Sequence, residues 1–375
     1  MPDIALFIRP LDVLSFRGNR IFGEAGSYGV SQMPPQPSVA AGALRSALMV
    51  SRGIDPHAFA EGRLEDPDLG HRDAPGRFRL THWQLARHDG LRISPLYRPP
   101  SDLVAKRDDE GGLRIERVRP RTRGAGISCS GATPDLAVLP ESSRGKPVSG
   151  YWLDEQGWSD YLAGQTPAPA HWIPGSELWQ TEIRTGVGLE PVRRCADDGK
   201  LFTTQAISLM RGNDSTIGFL ARVHTADCPA RITLRLGGDG HAAEAETVEW
   251  QPAQGDLQAM AQAGHARLIL TTPGLFTEGW TPGDGAGVIR APGIRGRITC
   301  AAVPRAEIIS GYDLALRRPK SARRVAPVGS VYWVAFDEVS PQALADWLDA
   351  GLWSTDSLDR HRRAEGYNRF TLAIV

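Results

Sequence analysis

Apolar and polar positions along the chain follow patterns that predict more strands than helices. Residues 4–14 form an apolar stretch that predicts a buried first strand turning at Pro10. Residues 38–49 have a helix-forming composition, and apolar positions at i, i+4, i+5, i+8 and i+9 from Val39 place one face in the core. The prolines before this helix suit a helix start, with Ser38 as the candidate N-cap. Further strands are predicted at 78–85, 179–189, 201–210, 217–223, 232–236, 245–250, 268–272, 298–303, 331–336 and 368–375, and further helices at 152–162 and 341–352.

The order of these elements indicates the fold class. Strands outnumber helices in both halves, and each half has about one clear helix, which predicts an α+β fold of antiparallel sheets with packed helices. The turn cluster at 211–216 predicts a boundary between an N-terminal module, 1–213, and a C-terminal module, 214–375. Residues 99–150 are rich in Gly, Pro, Ser and Arg. They predict an irregular insertion, at about 51–176, in the N-terminal module.

The densest charge pattern lies in residues 311–334, here called the basic segment. Pro319 disfavours a long helix there, and the apolar run 328–336 predicts a buried strand directly afterwards. The pattern predicts an extended or looped segment that holds cations beside a sheet edge, where they can contact phosphates. A solvated charged loop explains the same pattern, so both interpretations stay open. Five cations fall within eight positions: Arg317, Arg318, Lys320, Arg323 and Arg324.

Composition limits what these cations can do. The chain of 375 residues has room for two domains, and its 41% apolar content supports a sizeable core. Lys and Arg number 43 and Asp and Glu number 43, so the formal net charge is zero. A net-basic nucleic-acid-binding protein is excluded, and any RNA or DNA contact must come from local patches. A second basic stretch contains Arg114, Arg117, Arg119, Arg121 and Arg123.

The cysteines and the N-terminus indicate a cytoplasmic protein. The four cysteines are far apart and form no CxxC or Cys/His knuckle, so no zinc site is expected. Their number does not suggest a disulfide scaffold, which fits a reducing cytosol. The first residues lack the features of a signal peptide, and no run of 18 apolar residues predicts a membrane span.

The motif LGGDGH contains Gly237, Gly238 and Gly240 directly after a predicted strand. It matches neither GxxxxGK[ST] nor GxGxxG, and no helix clearly follows it. A tight hairpin is one interpretation. The other is a bare backbone that lets RNA approach closely, with amide donors exposed.

A second glycine motif, IRTGVGLE, lies on a predicted strand. Gly186 and Gly188 suggest a bulge or close backbone packing, and Arg184 beside them could reach a phosphate or simply lie on the surface. Gly42 interrupts the first helix, where glycine costs about 0.8–1 kcal/mol relative to alanine. Gly42 either permits close approach of a partner to the helix or allows close packing within the protein. Because Ser38, Gly42 and Arg45 are spaced i, i+4 and i+7, they share one helix face, distinct from the apolar stripe.

Catalytic patterns are poor. The nine histidines are scattered, with no HxxxH or HExxH motif, and His241 after the glycine motif is the candidate general base for RNA cleavage. No partner group is evident for it, which favours a structural or solvated histidine. Two acidic runs lie in polar turns and are predicted to be solvated rather than metal-binding: Asp108, Asp109 and Glu110, and Asp197 and Asp198.

Several segments together resemble a known family. They are LDVLSFRGNRIFG, PPQPSVAAGALRSAL, IRTGVGLEPVRRCADDGKLFTTQAISL, LGGDGH and GYDLALRRPKSARRVAPVGSVYW, in the family's order. The chain resembles the third-subunit family of the Cmr effector complex, RAMP-superfamily proteins of type III-B CRISPR systems. Each motif alone is weak, but the ordered set is fairly specific. The region 51–176 shows little that matches.

The resemblance implies two ferredoxin-like (RRM-like) modules packed together. It also implies binding of the 5′ tag of the guide RNA, docking onto the large polymerase-like subunit and onto the neighbouring backbone RAMP subunit, and no catalytic role. From the residues themselves, no metal or cofactor is expected. A sheet with Gly and Arg loops can hold single-stranded RNA by phosphate contacts and base splaying. The residues expected to bind RNA are Arg17, Ser38, Gly42, Arg45, Arg184, Gly186, Gly188, Gly237, Gly238, Gly240, Arg317, Arg318, Lys320, Arg323 and Arg324.

Two other functions remain open from the sequence. One is a RAMP-type endoribonuclease that processes guide RNA, with His241 or another histidine as the acid/base group. The other is a purely structural assembly subunit whose basic loops meet acidic protein surfaces.

Overall fold

The fold is strand-rich, with few helices and several small sheets besides two larger ones. This confirms the predicted mixture of antiparallel sheets and packed helices. The computed structural model describes residues 3–16, 18, 28–29, 31–124, 133–139, 146–190, 192–212, 215–313, 316, 318–353 and 359–375.

The strands of the described residues, in chain order, are β1 (Asp3–Pro10), β2 (Tyr28–Gly29), β3 (Gly70–His71), β4 (Ala74–Pro75), β5 (Arg79–His88), β6 (Ile93–Leu96), β7 (Leu103–Arg107), β8 (Leu113–Arg117), β9 (Arg119–Thr122), β10 (Asp135–Val138), β11 (Tyr151–Leu153), β12 (Trp172–Pro174), β13 (Trp179–Leu189), β14 (Ala196–Leu209), β15 (Thr216–His224), β16 (Arg231–Arg235), β17 (Ala242–Val248), β18 (His265–Leu270), β19 (Val288–Ala291), β20 (Ile294–Ala302), β21 (Glu307–Ile309), β22 (Tyr312–Asp313), β23 (Arg318–Pro319), β24 (Arg323–Val325), β25 (Val331–Phe336) and β26 (Phe370–Ala373).

The helices of the same residues are α1 (Pro37–Ser51), α2 (Pro56–Ala60), α3 (Glu155–Leu162), α4 (Leu257–Ala263), α5 (Pro341–Ala350) and α6 (Arg360–Ala364). Single 3₁₀ turns occur at Pro169–His171, Gly175–Glu177 and Gly238–Gly240.

Contacts between residues group the chain into two compact units, each assembled from three segments. The first unit contains residues 1–93, 176–250 and 309–322, and the second contains 94–175, 251–308 and 323–375. Both units therefore draw on distant parts of the sequence. The expected linear boundary falls on residues 213–214, which lie outside the described residues, and it stays a prediction.

The main sheet of the first unit runs in the order β16-β17-β1-β15-β5, with antiparallel neighbours. Helix α1 buries an alanine- and leucine-rich face that includes Ala40, Leu44 and Leu48. Val39, which was expected in this face, is only half-buried, whereas the other four expected positions, Ala43, Leu44, Ala47 and Leu48, are buried. The expected N-cap at Ser38 is also wrong. The cap is Gln36, and Ser38 lies inside the first turn, because Pro37 with its fixed φ occupies the first helical position.

The main sheet of the second unit runs in the order β19-β20-β25-β18-β26, again antiparallel. One face packs against α4 and α5 through Met260, Leu344 and Trp347. The Ser340 hydroxyl caps α5 by accepting a hydrogen bond from the Ala343 amide, and Pro341 begins the helix as expected.

Residues 94–175 cover the other face of this second sheet, where Trp158 and Tyr161 join one buried cluster with Trp333. The expectation of irregular chain here is corrected. The described part contains the paired strands β7–β8, β9–β10 and β11–β12, and helix α3. The sequence placed this region as an insertion in the N-terminal module, whereas its contacts group it with the second unit.

A buried ion pair fixes this covering segment to the sheet. The Asp102 carboxylate accepts a hydrogen bond from the Arg267 guanidinium at 2.7 Å and another from the Tyr161 hydroxyl at 2.7 Å. The Arg267 guanidinium also donates to the main-chain oxygens of Tyr161 and Ile374 and lies 4.2 Å from the centre of the Tyr161 ring. Burial raises the pKa of Tyr161, with the Asp102 charge adding to the effect, so the phenol stays protonated as a donor.

Candidate nucleic-acid interface

The glycine motif forms a hairpin loop between β16 and β17, here called the glycine hairpin (residues 236–241). The Leu236 amide donates to the His241 carbonyl at 2.8 Å and closes the loop. Gly237 has φ 84° and ψ −161°, a region that is essentially restricted to glycine. Asp239 and Gly240 also have positive φ, 59° and 72°. The hairpin interpretation of the motif is therefore the observed one.

Gly237 and Gly238 pack against the loop that follows β1. The Gly238 amide donates to the Ser15 carbonyl at 2.7 Å, so this donor is already used. A Cβ on Gly237 would lie 2.5 Å from the same carbonyl and 3.0 Å from the Phe16 ring. A Cβ on Gly240 would meet only the Arg235 side chain, at 3.9 Å. Gly237 is thus required for packing, whereas the backbone at Gly240 is open.

The glycine hairpin therefore positions one end of the loop between β1 and α1. At the other end, the Gln32 amide donates to the Phe16 carbonyl at 2.9 Å, and the Ser31 hydroxyl donates to the Gln205 carbonyl at 2.6 Å. Arg17, one of the expected RNA-binding residues, follows Phe16 directly and lies outside the described residues.

The expected RNA-binding face of α1 is partly open. Gly42 is exposed, and a Cβ built there meets no atom within 4 Å, so its backbone is accessible from outside the helix. Arg45 is half-buried and donates to the Leu69 carbonyl at 2.7 Å. Ser38 is half-buried in the first turn. The three residues share a helix face as expected, and Gly42 is its open position.

Arg235 is a candidate that the sequence analysis missed. It is the last residue of β16, is exposed, and has no hydrogen-bonding or ionic partner within the described ranges. Its side chain lies beside Gly240. By contrast, Arg211 is held by a 2.7 Å hydrogen bond to the Pro10 carbonyl. The only sequence signal for Arg235 was a single cation at a strand end next to the glycines.

His241 ends the glycine hairpin and is half-buried. No described side chain forms a hydrogen bond or ion pair with it. No second acid/base group is therefore bonded to this histidine in the described part of the chain.

The basic segment is extended, as its proline and glycines predicted, and it contains short strands. In the first unit, β22 pairs with β23, and the Lys320 amide donates to the Gly311 carbonyl at 2.9 Å. Arg318 is exposed without a partner in the part of the chain that the structure describes, and Lys320 is half-buried. Arg317 lies outside the described residues.

The grouping of the chain changes from the first to the second unit between residues 322 and 323. In the second unit, Arg323 and Arg324 are exposed on β24, and no described group pairs with either of them. The next residue, Val325, is buried and anchors the strand. Three cations of this segment are therefore available for an anionic partner.

The second glycine motif lies in a long two-stranded ribbon, β13 and β14, exposed on both faces of β13. A Cβ on Gly186 would meet the Phe202 ring at 2.5 Å, and a Cβ on Gly188 would meet the Lys200 side chain at 2.8 Å. The glycines therefore let two opposing side chains lie across the ribbon, and the register shifts between residues 187 and 189 as the bulge interpretation expected. Arg184 pairs with Glu182 at 3.1 Å, and both are about half exposed.

One side of this ribbon is apolar and exposed. The side chains of Ile183, Val187 and Leu189 share one side of β13, and Leu201 lies opposite Val187 on β14. Their exposed fractions lie between 43% and 67%.

The second basic stretch is mostly used within the second unit. Arg117 donates to the main-chain oxygens of Gly164 and Gln165, and burial lowers its pKa, with the Arg267 charge acting in the same direction. Arg123 donates to the Thr133 carbonyl at 2.8 Å. Arg119 and Arg121 are exposed on β9.

The acidic run at 108–110 lies in a turn, as expected, whereas Asp197 and Asp198 lie at the start of β14 rather than in a turn. The Asp108 carboxylate accepts hydrogen bonds from the Glu110 and Gly112 amides and closes the turn between β7 and β8. Asp197 pairs with Lys200 at 2.5 Å. Among the residues with described positions, no group of three or more His, Cys, Asp and Glu side chains is arranged to hold a metal ion. No helix in those residues combines the length and apolar character that crossing a bilayer requires.

The fold and these surfaces define a strand-rich α+β protein with local basic patches and open glycine backbone. The family described as CRISPR-associated protein (Cas_Cmr3) matches residues 6–372. The chain belongs to this family, which confirms its resemblance to the third subunit of the Cmr complex of type III-B CRISPR systems.

Solved structures with a similar chain are cryo-EM structures of the Type III-B Cmr-beta complex. One, bound to cognate target RNA and AMPPnP (state 1), has a chain with 12% sequence identity and a TM-score of 0.48, and the match covers 98% of this chain and 95% of that one. Another, bound to cognate target RNA, has the same identity and TM-score and covers 98% of this chain and 96% of that one. No curated protein matches the chain.

Proposed function

We propose that this protein is a non-catalytic subunit of the RNA-guided effector complex in type III-B CRISPR-Cas antiviral defence, and that it binds the 5′ tag of the guide RNA. The observation that carries the proposal is the set of exposed cations in the basic segment. Arg318, Arg323 and Arg324 have no carboxylate partner among the described residues. The net charge of the protein is zero, so neighbouring arginines without a carboxylate form a local site for an anion. The planar guanidinium group can donate two parallel hydrogen bonds to a phosphate.

The strand orders support two ferredoxin-like modules. In the first unit the order β17-β1-β15-β5 corresponds, in chain order of these four strands, to 4-1-3-2. In the second unit the order β26-β18-β25-β20 gives the same pattern. This is the split βαβ arrangement of the ferredoxin-like fold. The first unit has a helix, α1, between its first two strands, and the second has a helix, α5, between its last two.

The first unit supplies a second RNA-contacting surface in this proposal. The glycine hairpin holds the loop that leads into Arg17, and Arg235 extends from the same hairpin into solvent. The open backbone at Gly42 lets a phosphate or ribose approach α1 more closely than any side chain allows.

The exposed ribbon suits contact with another protein. Its apolar side (Ile183, Val187, Leu189 and Leu201) has no cover among the described residues and fits the docking of the neighbouring backbone RAMP subunit. The large polymerase-like subunit is the other proposed partner. Neither role requires chemistry, which agrees with the absence of an acid/base partner for His241 among the described residues.

The test replaces Arg318, Arg323 and Arg324 together with alanine and measures the affinity of the full-length protein for guide RNA at several salt concentrations. The salt slope should fall by about 0.7 to 1 for each phosphate that the variant no longer neutralises. The matched control replaces Arg63, Arg72 and Arg295, which are also exposed but are paired with carboxylates. It removes the same charge and should leave the slope close to the parent's.

An unchanged affinity and slope in the triple variant would contradict RNA binding by this segment. Retained assembly with the other subunits together with no crosslink to guide RNA would favour the purely structural assembly subunit instead.

A further inference from the structure

A glycine-rich loop between β18 and β19 in the second unit, here called the tryptophan loop (residues 271–287), carries an exposed aromatic side chain. The structure describes all ten tryptophans of the chain. Trp280 is the exposed one, with an exposed fraction of 37%. Six of the other nine are buried and three are half-buried, so the more open Trp280 ring is a candidate for contact with a partner.

The Trp280 ring is held in place rather than loose. It is parallel to the Tyr332 ring, with an interplanar angle of 6° and 6.4 Å between ring centres. The Tyr332 hydroxyl donates to the Trp280 carbonyl at 2.5 Å, and Tyr332 itself is fully buried in β25. A short turn precedes the tryptophan, because the Gly279 amide donates to the Phe276 carbonyl at 3.3 Å. The indole is thus a rigid, partly open aromatic surface mounted on the core.

The tryptophan loop is bonded to the chain that carries two unpaired cations. Gly274 and Ala326 exchange two backbone hydrogen bonds, of 2.8 and 2.9 Å. Arg324 and Arg323 lie two and three residues before Ala326, are exposed, and have no partner in the described part of the chain. Following the backbone from Trp280 through these bonds to Arg324 gives an upper bound of about 34 Å. Single-stranded binding sites on small folds cover about 4–16 nucleotides, so one strand can reach both.

The acidic groups of the loop do not oppose an anionic strand at the cations. Asp284 is paired with Arg290 at 2.8 Å. The Glu278 carboxylate lies towards Gly285, with 3.7 Å between Oε2 and the position of a Cβ there. Gly279 and Gly285 are exposed positions of the loop without side chains, which suits close approach of a flat base beside the indole.

We propose that Trp280 stacks on a base of single-stranded guide RNA while Arg323 and Arg324 hold neighbouring phosphates. This inference rests on the proposed function and assigns part of its RNA contact to the second unit. Stacking on an aromatic ring tolerates any base, because every base has a π-face, whereas the arginines read only the backbone. Trp280 therefore contributes affinity without sequence preference.

The experiment compares Trp280→Ala, Trp280→Phe and the parent, as full-length proteins, in fluorescence anisotropy titrations with a short labelled single-stranded RNA of the guide's 5′ sequence. Trp280→Ala should weaken binding roughly 5- to 150-fold with an unchanged salt slope, because it removes stacking and leaves the phosphate-binding cations in place. Trp280→Phe should retain most of the affinity. Leu91→Ala, which changes a 99% exposed apolar side chain in the first unit, is the surface control and should bind like the parent.

A series of abasic RNAs, in which one nucleotide at a time lacks its base, gives the decisive comparison. At the stacked position the parent should bind more weakly and the difference between the parent and Trp280→Ala should disappear. Equal affinity of Trp280→Ala and the parent on intact RNA overturns the inference. So does a loss of affinity that stays the same throughout the abasic series, or one that follows a loss of thermal stability and is not restored in Trp280→Phe. Normal RNA affinity with weakened co-purification of another Cmr subunit also overturns it, and would make Trp280 a protein anchor.

Failure of the inference is separable from failure of the proposed function. If Arg323→Ala with Arg324→Ala lowers the salt slope while Trp280→Ala has no effect, only the stacking role is wrong. If the parent protein fails to bind the guide RNA, both are wrong.

Discussion

Gly42 offers a test in which folding and RNA binding are expected to change in opposite directions. It lies in the interior of α1, is exposed, and has no atom within 4 Å of the position that a Cβ would take. In a helix interior, glycine costs about 0.8–1.0 kcal/mol relative to alanine, and leucine is nearly as favourable as alanine. Gly42→Ala and Gly42→Leu should therefore both stabilise the free protein by about that amount. For a unit of this size the melting temperature should rise by about 2–4 °C.

RNA binding should respond to the size of the new side chain instead. If RNA contacts the bare backbone at Gly42, a methyl group is a small obstacle and a leucine side chain is a large one. Forcing such a group into a packed contact costs about 1–3 kcal/mol, which corresponds to a loss of affinity of roughly 5- to 150-fold. The two variants form a matched pair, because both remove the glycine and only one adds bulk.

Two measurements on the same preparations decide the outcome: thermal melting of the free protein, and anisotropy titration with guide RNA. Raised melting temperatures, with weaker binding in Gly42→Leu than in Gly42→Ala, are expected. A large fall in melting temperature for either variant would mean that Gly42 is needed for packing. Parent-like affinity in Gly42→Leu would remove this helix face from the RNA-contacting surface.

Three further predictions concern other parts of the molecule. His241→Ala should leave target-RNA cleavage by the assembled complex intact; general acid–base catalysis supplies about 10²–10⁴-fold, so a loss on that scale with assembly preserved would make the histidine catalytic. Asp102→Ala leaves the buried Arg267 without its counter-ion and should lower the free energy of unfolding by about 3–5 kcal/mol in denaturant titrations, and a loss below about 1 kcal/mol would contradict the structural role given to the pair. Burial acts to raise the pKa of Asp68, but hydrogen bonds from Thr225, Arg52 and the Ala226 amide outweigh it and hold the pKa below its ordinary value. Because the unfolded chain binds the proton more readily, this stabilisation is present above about pH 4 and is lost as the pH falls through the pKa of the folded state. Asp68→Asn should therefore flatten the decline in the free energy of unfolding below about pH 4. An unchanged decline would contradict this role of Asp68.

Elements with a clear local pattern could be predicted from the sequence. The apolar run 331–336 is β25, and 179–189 is β13, because β-branched and aromatic residues between turn residues define a strand locally. Residues 94–175 were missed as strands, because β7–β8 and β9–β10 are short pairs among charged residues and glycines. They are covered and held by groups far away in the chain, as with Asp102 and Arg267, which are 165 residues apart.

The sequence predicted which residue types occur at the candidate site, but not which of them pack internally and which stay open to a partner. Gly237 and Gly240 look alike in LGGDGH, yet the first packs on the Ser15 carbonyl and the second faces open space. That difference depends on a loop more than 200 residues earlier in the chain. Arg235 gave only a weak signal, a single cation at a strand end, and Trp280 gave none, because the exposure of one side chain depends on the tertiary fold rather than on the local sequence.

The Asp102–Arg267 pair also has a consequence for biosynthesis. A chain growing at about 5–20 residues per second makes Arg267 roughly 8–33 seconds after Asp102, given their separation of 165 residues. During that interval the segment 94–175 has no sheet to cover, because β18, β25 and β26 have not yet been made. Trp158 and Trp172, which end in the same buried cluster, are made during that interval and stay accessible to chaperones until the sheet forms. The second unit therefore completes folding only after its last strand, β26, has left the ribosome.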